Sequence, residues 1–464
     1  MVFSSLQFIF IFIPIFFGIY YFVPKQLKNM ILLMGSLCFY FVGTIHNPEY
    51  LILFIVSIYV DFLTGLGIER YPKQKKKFLL IGVLFHIISI MIFKYSGFIL
   101  GEFGKLVPGL NFETDIVLPI GISFYTFQGI SYIADVYQGK ITAEKSLLRY
   151  AVYLSMFEQL IAGPIVTYSQ VKNELRVKNL KHEIIINGIG TFIIGLGLKV
   201  LLANPLGKLW TQTCAIGFES VSTPLAWLAI VAFTFQIYFD FWGYSLMAIG
   251  LGKMLGFKLP KNFNYPYTSR TMTEFWRRWH ITLGSWFREY VYIPLGGNRK
   301  GTAITIRNLC IVWLLTGIWH GAGYNFILWG AVLFIILVLE KFFIGRFLSN
   351  VPLIGHLYMM ILIPLTWAIF AIDDMQQLGI FFTRLFPFFG QGVWSVFPND
   401  YLKYLHLYYP FFIAGILFST KIPFSILKRI RNKRILWIFL AVIFGACVYC
   451  MYRGLDDPFL YFRF

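Results

Sequence analysis

Two histidines stand where an imidazole could move a proton. His320 lies in Trp313-Leu-Leu-Thr-Gly317-Ile-Trp319-His320-Gly321-Ala-Gly323-Tyr324-Asn325, and helical spacing stacks Trp313, Gly317 and His320 on one face. An imidazole titrates near pH 6.5 and is the side chain best matched to take and return a proton at neutral pH. A packing role is equally compatible with these residues: a histidine bonded to a carbonyl at a helix break, with Gly317 and Gly321 letting helices approach. His280 closes Thr273-Glu274-Phe275-Trp276-Arg277-Arg278-Trp279-His280, which runs on through Trp286-Phe287-Arg288-Glu289-Tyr290 to Pro294-Leu-Gly296-Gly297-Asn298-Arg299. An amphipathic interfacial helix with snorkelling arginines explains much of this segment. Paired arginines beside aromatic faces also suit the phosphates and adenine of a nucleotide-bearing donor.

Other chemistries lack their residues. No stretch completes the G-x-x-x-x-G-K-S/T phosphate cradle or the G-x-S-x-G serine elbow. None of the seven histidines opens H-x-x-x-x-D, which disfavours the soluble-type glycerolipid acyltransferase arrangement, and none opens H-x-x-x-H or H-E-x-x-H, so no metal site is expected. Five cysteines are an odd number, and Cys447-Val-Tyr-Cys450 lies in an apolar run, where packed thiols are the expectation.

The elements that must hold these residues are membrane helices. Of 464 residues 58% are hydrophobic, 20% aromatic and 13% charged, about half the charge of a soluble chain. Mean hydropathy is +0.70. A span takes about 20 apolar residues, and candidate runs fall near 6–23, 29–45, 50–68, 78–100, 116–136, 184–204, 223–251, 304–320, 324–346, 352–372, 404–420 and 435–452. The expected fold is all-α and polytopic, with eleven or twelve spans. The segment near 150–168, broken at Gly163-Pro164, reads as re-entrant, and 271–294 as non-spanning.

The net charge of +19 resolves into topology. Basic stretches at 70–77, 170–182, 253–303 and 421–434 belong in the cytoplasm under the positive-inside rule. That leaves Glu113/Asp115, Asp373/Asp374, Asp456/Asp457 and both termini outside. Attraction of basic loops to anionic headgroups accounts for the excess without nucleic acid. The first apolar run lacks a basic n-region and a cleavage site, so it reads as a retained span. Ionisable groups inside apolar sequence are functional candidates by default. Asp61, Asp135, Glu158, Asp240, His280 and His320 qualify, although each carboxylate is also explained by a bond to a neighbouring helix or a boundary Lys or Arg.

At the two histidine segments the chain resembles the membrane-bound O-acyltransferase (MBOAT) family. The resemblance rests on Phe275-Trp-Arg-Arg-Trp-His280, Trp286-Phe-Arg-Glu-Tyr-Val-Tyr-Ile-Pro-Leu-Gly-Gly-Asn-Arg299 and Trp319-His320-Gly321. It extends through Leu118-Pro-Ile-Gly-Ile-Ser-Phe-Tyr-Thr-Phe-Gln128, Tyr132-Ile-Ala-Asp-Val-Tyr137, Ile161-Ala-Gly-Pro-Ile165 and Pro458-Phe-Leu-Tyr-Phe-Arg-Phe464. It points to the bacterial branch that O-acetylates alginate or peptidoglycan, with teichoic acid D-alanyl transfer more distant.

The resemblance implies one domain over 1–464, its signature at about 271–325, with helices around a central tunnel. It implies a catalytic role for His320, an auxiliary one for His280, cytoplasmic acetyl-CoA as acyl donor and a hydroxyl acceptor outside. It also implies a bacterial inner-membrane location and a periplasmic or extracellular serine hydrolase-like partner. No permanently bound cofactor is expected. Combined with the residues themselves, it puts Trp276, Arg278, Trp319 and Asn325 on the substrate path. Peptidoglycan is the first expectation for the polymer and an alginate-like one the second; the aromatic tail 458–464 is expected to dock at the outer mouth. A carrier-fed D-alanyl transferase and an acyl or glycan transporter without chemistry are the competing readings. The latter is disfavoured because no two similar halves are visible.

Overall fold

The computed structural model describes residues 2–107, 116–160, 163–177, 180–389, 395–430, 432–454 and 460. Glu113, Asp115, Asp456, Asp457 and all of 458–464 except Leu460 lie outside them. Every regular element among the described residues is helical, and the protein is an all-α, multi-pass membrane protein. Nine described helices are long and apolar enough to cross a bilayer. They become ten if Asp400–Phe418 and Ile422–Arg429, bent by 73° at their junction, form one broken span.

This count is broadly consistent with the expected eleven or twelve spans, and two of the expected runs form helices shorter than a full span. The run near 116–136 condenses to Ile122–Tyr137, a helix of 16 residues, or about 24 Å of rise against a hydrocarbon core near 30 Å. The run near 6–23 likewise yields the shorter Phe8–Phe22. Apolar composition reads the same whether a helix faces lipid or other helices, and most of Ile122–Tyr137 is buried. The two segments read as non-spanning are short: Leu147–Ser155 and Phe157–Leu160 in one, Met272–Arg278 and Ile281–Phe287 in the other.

The chain divides into two compact units. The first comprises Met1–Phe192, Ser245–Lys261 and Ser285–Val291. At its centre Glu49–Arg70, Lys75–Ile90 and Ile122–Tyr137 pack together around a buried polar trio. Asp61 meets His86 Nε2 at 2.7 Å and accepts the Tyr150 hydroxyl at 2.9 Å, and all three are fully buried. Gly129 leaves the room, since a Cβ there would lie 2.4 Å from both Asp61 Oδ2 and His86 Nε2. The Trp286 indole donates to Phe127 O at 2.9 Å, and the Tyr290 hydroxyl to Asp135 at 3.0 Å.

The second unit comprises Ile193–Tyr244, Asn262–Gly284 and Tyr292–Phe464. Its central hairpin pairs Thr302–His320 with Tyr324–Leu339. Gly317 and Gly330 let the two backbones touch: a Cβ on Gly317 would meet Phe326 O at 2.4 Å, and one on Gly330 would meet Trp313 O at 2.5 Å. The hairpin turns where Gly321 and Gly323 take extended backbone (φ −170° and −158°), leaving His320 at the tip. Lys199 and Asp240 form a buried ion pair at 2.5 Å, and the Leu460 amide donates to Asp240 at 2.8 Å. Asp61, Asp135 and Asp240 thus have the structural partners allowed for them, although Lys199 lies within a span and not at its boundary. Cys447 and Cys450 are free thiols.

Candidate active site

The residues expected in the catalytic and substrate-path roles, His320, His280, Trp276, Arg278, Trp319 and Asn325, all belong to the second unit. His320 is buried among rings, with centroids 4.7 Å from Trp319, 4.9 Å from Trp329 and 5.3 Å from Phe370. Its Nδ1 lies 2.7 Å from Thr316 O, one turn back on the same helix. A carbonyl can only accept, so Nδ1 carries the proton and Nε2 of the neutral ring carries the lone pair. The packing role and the chemical role are therefore both satisfied: the bond to the helix holds the ring and also selects the basic nitrogen.

His280 joins Met272–Arg278 to Ile281–Phe287 with φ +42°, a left-handed conformation that costs a non-glycine residue of order 1 kcal/mol and tends to mark functional positions. Its Nδ1 lies 3.1 Å from Asn262 Oδ1, which also accepts the Thr282 hydroxyl at 2.9 Å. Nε2 is buried and has no hydrogen-bond partner among the described residues. Burial first, and His320 second, hold this imidazole well below its ordinary range, so the ring is neutral. Trp319 stands beside both histidines, 6.3 Å from the His280 ring.

Trp276 projects from the first short helix into an aromatic stack, 5.0 Å from Trp313 and 5.5 Å from Trp329. The indole N–H groups of Trp276 and Trp329 are buried without an acceptor among the described residues. Unmet buried donors cost about 1–3 kcal/mol each, which marks the stack as a place for a carbonyl or other acceptor. Asn325 is buried at the start of Tyr324–Leu339 and donates to Phe370 O at 3.1 Å; its Oδ1 has no described donor. The structure therefore gathers His320, His280, Trp319, Trp276 and Asn325 within one aromatic surround.

Arg278 has a different setting. It lines a cavity of about 1260 Å³ together with Arg270, Arg277, Lys341, Lys421, Glu274 and Glu340. The two carboxylates are committed to structure. Glu274 binds Arg278 and the Arg270 amide. Glu340 accepts the Met272 and Thr273 amides at 2.5 and 2.8 Å and the Thr273 hydroxyl at 2.7 Å, clasping the helix that carries Trp276. The lining cations outnumber these two carboxylates, so the cavity is net cationic. It reaches Leu309, eleven residues before His320 on one helix, which is about 16 Å of rise.

Sequence reasoning missed Asn262, Glu340, Trp329 and Phe370. Glu340 lies in an apolar run, as do Lys199 and His86, and each carried the same signal as the six ionisable candidates. Nothing local distinguishes Trp329 or Phe370 from lipid-facing aromatics, because their positions depend on contacts with elements distant in sequence.

Residues 141–352 match the MBOAT, membrane-bound O-acyltransferase, family. The chain is 36% identical over 407 residues to the probable alginate O-acetylase AlgI of Pseudomonas aeruginosa, covering 85% of this chain and 76% of that protein. It is 35% identical over 419 residues to the peptidoglycan O-acetyltransferase of Helicobacter pylori, covering 81% and 78%. A teichoic acid D-alanyltransferase of Bacillus subtilis is more distant, at 27% over 235 residues, 48% of this chain and 59% of its own. With its site built on the matched segment, the chain belongs to the membrane-bound O-acyltransferase family and is an acyltransferase enzyme similar to bacterial O-acetylases.

Proposed function

We propose that the protein transfers an acetyl group from cytoplasmic acetyl-CoA to a hydroxyl on the far side of the bacterial inner membrane, for O-acetylation of a cell-wall or secreted polysaccharide. The observation that carries the reading is one helix with a cationic cavity beside its first half and His320, tautomer selected by Thr316 O, at its tip. The cavity suits the phosphates of a nucleotide-bearing donor, and about 16 Å along the helix suits a donor whose acyl group rides on a long arm.

In this reading the phosphates rest among Arg270, Arg277, Arg278, Lys341 and Lys421, and the acyl arm passes Trp276 toward His320. His320 Nε2 takes the acceptor hydroxyl's proton as its oxygen attacks the thioester carbonyl. The C–S bond breaks, the oxygen keeps the acetyl group, and the imidazolium's proton is released to the leaving thiolate. The buried indole N–H groups of Trp276 and Trp329 are suited to stabilise the carbonyl oxygen as it gains charge. His280, neutral and held by Asn262, supports the aromatic wall through Trp319. Excluding water from this stack protects the thioester.

The names of the relatives, an alginate O-acetylase and a peptidoglycan O-acetyltransferase, support an acceptor beyond the inner membrane, and peptidoglycan is the first polymer to try. A separate extracytoplasmic serine hydrolase-like transferase completes delivery, the whole chain acts as one domain, and both termini face outward. The test uses proteoliposomes supplied with labelled acetyl-CoA, with wild type and His320→Ala, each with and without the partner. Label should reach the acceptor only with wild type and the partner together. Acyl transfer from a charged carrier protein, with none from acetyl-CoA, would instead indicate the D-alanyl type of donor.

A further inference from the structure

A second cavity, of about 420 Å³, lies in the second unit and is apolar throughout. Leu198, Leu201, Phe411, Ala414 and Ile443 line it from spanning helices, and Phe424 and Leu427 from the short helix Ile422–Arg429. It sits at the 73° break between Asp400–Phe418 and that short helix. Nearby, Ile422, Ile426, Ile435, Ile438 and Phe439 are exposed, as expected of a face toward hydrocarbon. The short helix changes character at its end: Leu427 lines the cavity, while Lys428 and Arg429 follow in its last turn, and Lys433 and Arg434 open the next helix.

An apolar cleft in a spanning region, lined in part by an amphipathic helix that runs from Leu427 directly into Lys428 and Arg429, with Lys433 and Arg434 soon after in sequence, has the features of a phospholipid seat. The cleft accepts an acyl chain and the cations accept a phosphate-bearing headgroup with net negative charge. We propose that this is a specific site for one anionic glycerophospholipid, its acyl chain between Leu201 and Phe424 and its headgroup at Lys428 and Arg429. The occupant is a structural lipid of the enzyme and not its acyl donor, so the proposal stands or falls apart from the transfer reaction.

Native mass spectrometry of the full-length protein, delipidated and then offered equal phosphatidylglycerol and phosphatidylcholine, provides the test. Wild type should retain phosphatidylglycerol in preference. The double variant Lys428→Gln/Arg429→Gln should lose that preference, at about fivefold per neutralised charge. Ala414→Trp, which fills the cleft and leaves the charges alone, should bind neither lipid there at comparable thermal stability. Equal retention of the two lipids by wild type, or unchanged phosphatidylglycerol binding in both variants, overturns the proposal. So does a wild-type dimer that Ala414→Trp converts to monomer, since the cleft would then seat a second copy.

Discussion

The two units each bury histidine in a polar cluster, and they do so in opposite ways. In the first, His86 faces a carboxylate, Asp61 is shared with Tyr150, and Gly129 presses so close that one methyl group would not fit. In the second, His320 and His280 each direct Nδ1 at a neutral acceptor, a carbonyl and an amide oxygen. The carboxylate ties His86 through Nε2 in a tightly packed cluster, while the ring's buried Nδ1 has no hydrogen-bond partner among the described residues. The neutral partners orient the rings and define the proton on Nδ1, which leaves the lone pair on Nε2. A buried histidine therefore signals chemistry less by its burial than by what its two nitrogens are given.

The largest effect that would sharpen this contrast is at His320. Replacement by Ala should reduce acyl transfer by about 10²–10⁴-fold with the melting temperature little changed, measured in proteoliposomes with labelled donor. Retained activity would put His320 on the same structural footing as His86. Gly129→Ala should act the other way, lowering stability by about 1–3 kcal/mol through overpacking against Asp61 and His86. Transfer per folded molecule should persist, as read by thermal unfolding alongside specific activity. Trp329→Phe keeps a large ring and removes one unmet donor; the expected loss is about tenfold in kcat with KM nearly constant, and equal falls in stability and activity would argue for packing alone.

The smallest effect concerns pH. The folded-state pKa of His280 is depressed by burial and then by His320, so above the unfolded imidazole value neither state is protonated and stability is full. As pH falls below about 6.5, the unfolded chain gains a proton that the folded chain refuses, and stability drops by up to about 1.4 kcal/mol per pH unit. Comparing unfolding of wild type and His280→Gln between pH 7.5 and 5.5 should show a shallower decline in the variant. Parallel declines would mean that His280 takes up its proton in the fold as readily as outside it.

Much of the site was legible because polar groups are so scarce in this chain. His320 and His280 stand out against 58% hydrophobic sequence, and Trp276, Arg278, Trp319 and Asn325 lie within a few residues of them. Local adjacency, however, hid a division of labour: Arg278 lines the cationic cavity while Trp276, two residues earlier, enters the aromatic stack, as successive positions of a short helix point apart. Helix length and burial were less legible, because hydropathy does not distinguish a helix facing lipid from a shorter one such as Ile122–Tyr137 that is mostly buried.

By itself the sequence determined the class of the protein, its helical membrane character, the family and the two histidines, since each follows from composition or from short contiguous motifs. Only the tertiary structure decided which nitrogen of each ring carries the proton, that Asn262 and Glu340 hold the signature segment, and that Trp329 and Phe370 complete the surround of His320. Those are contacts between residues tens of positions apart. They depend on how closely backbones approach at Gly317 and Gly330, a property of packed helices and not of any one stretch of chain.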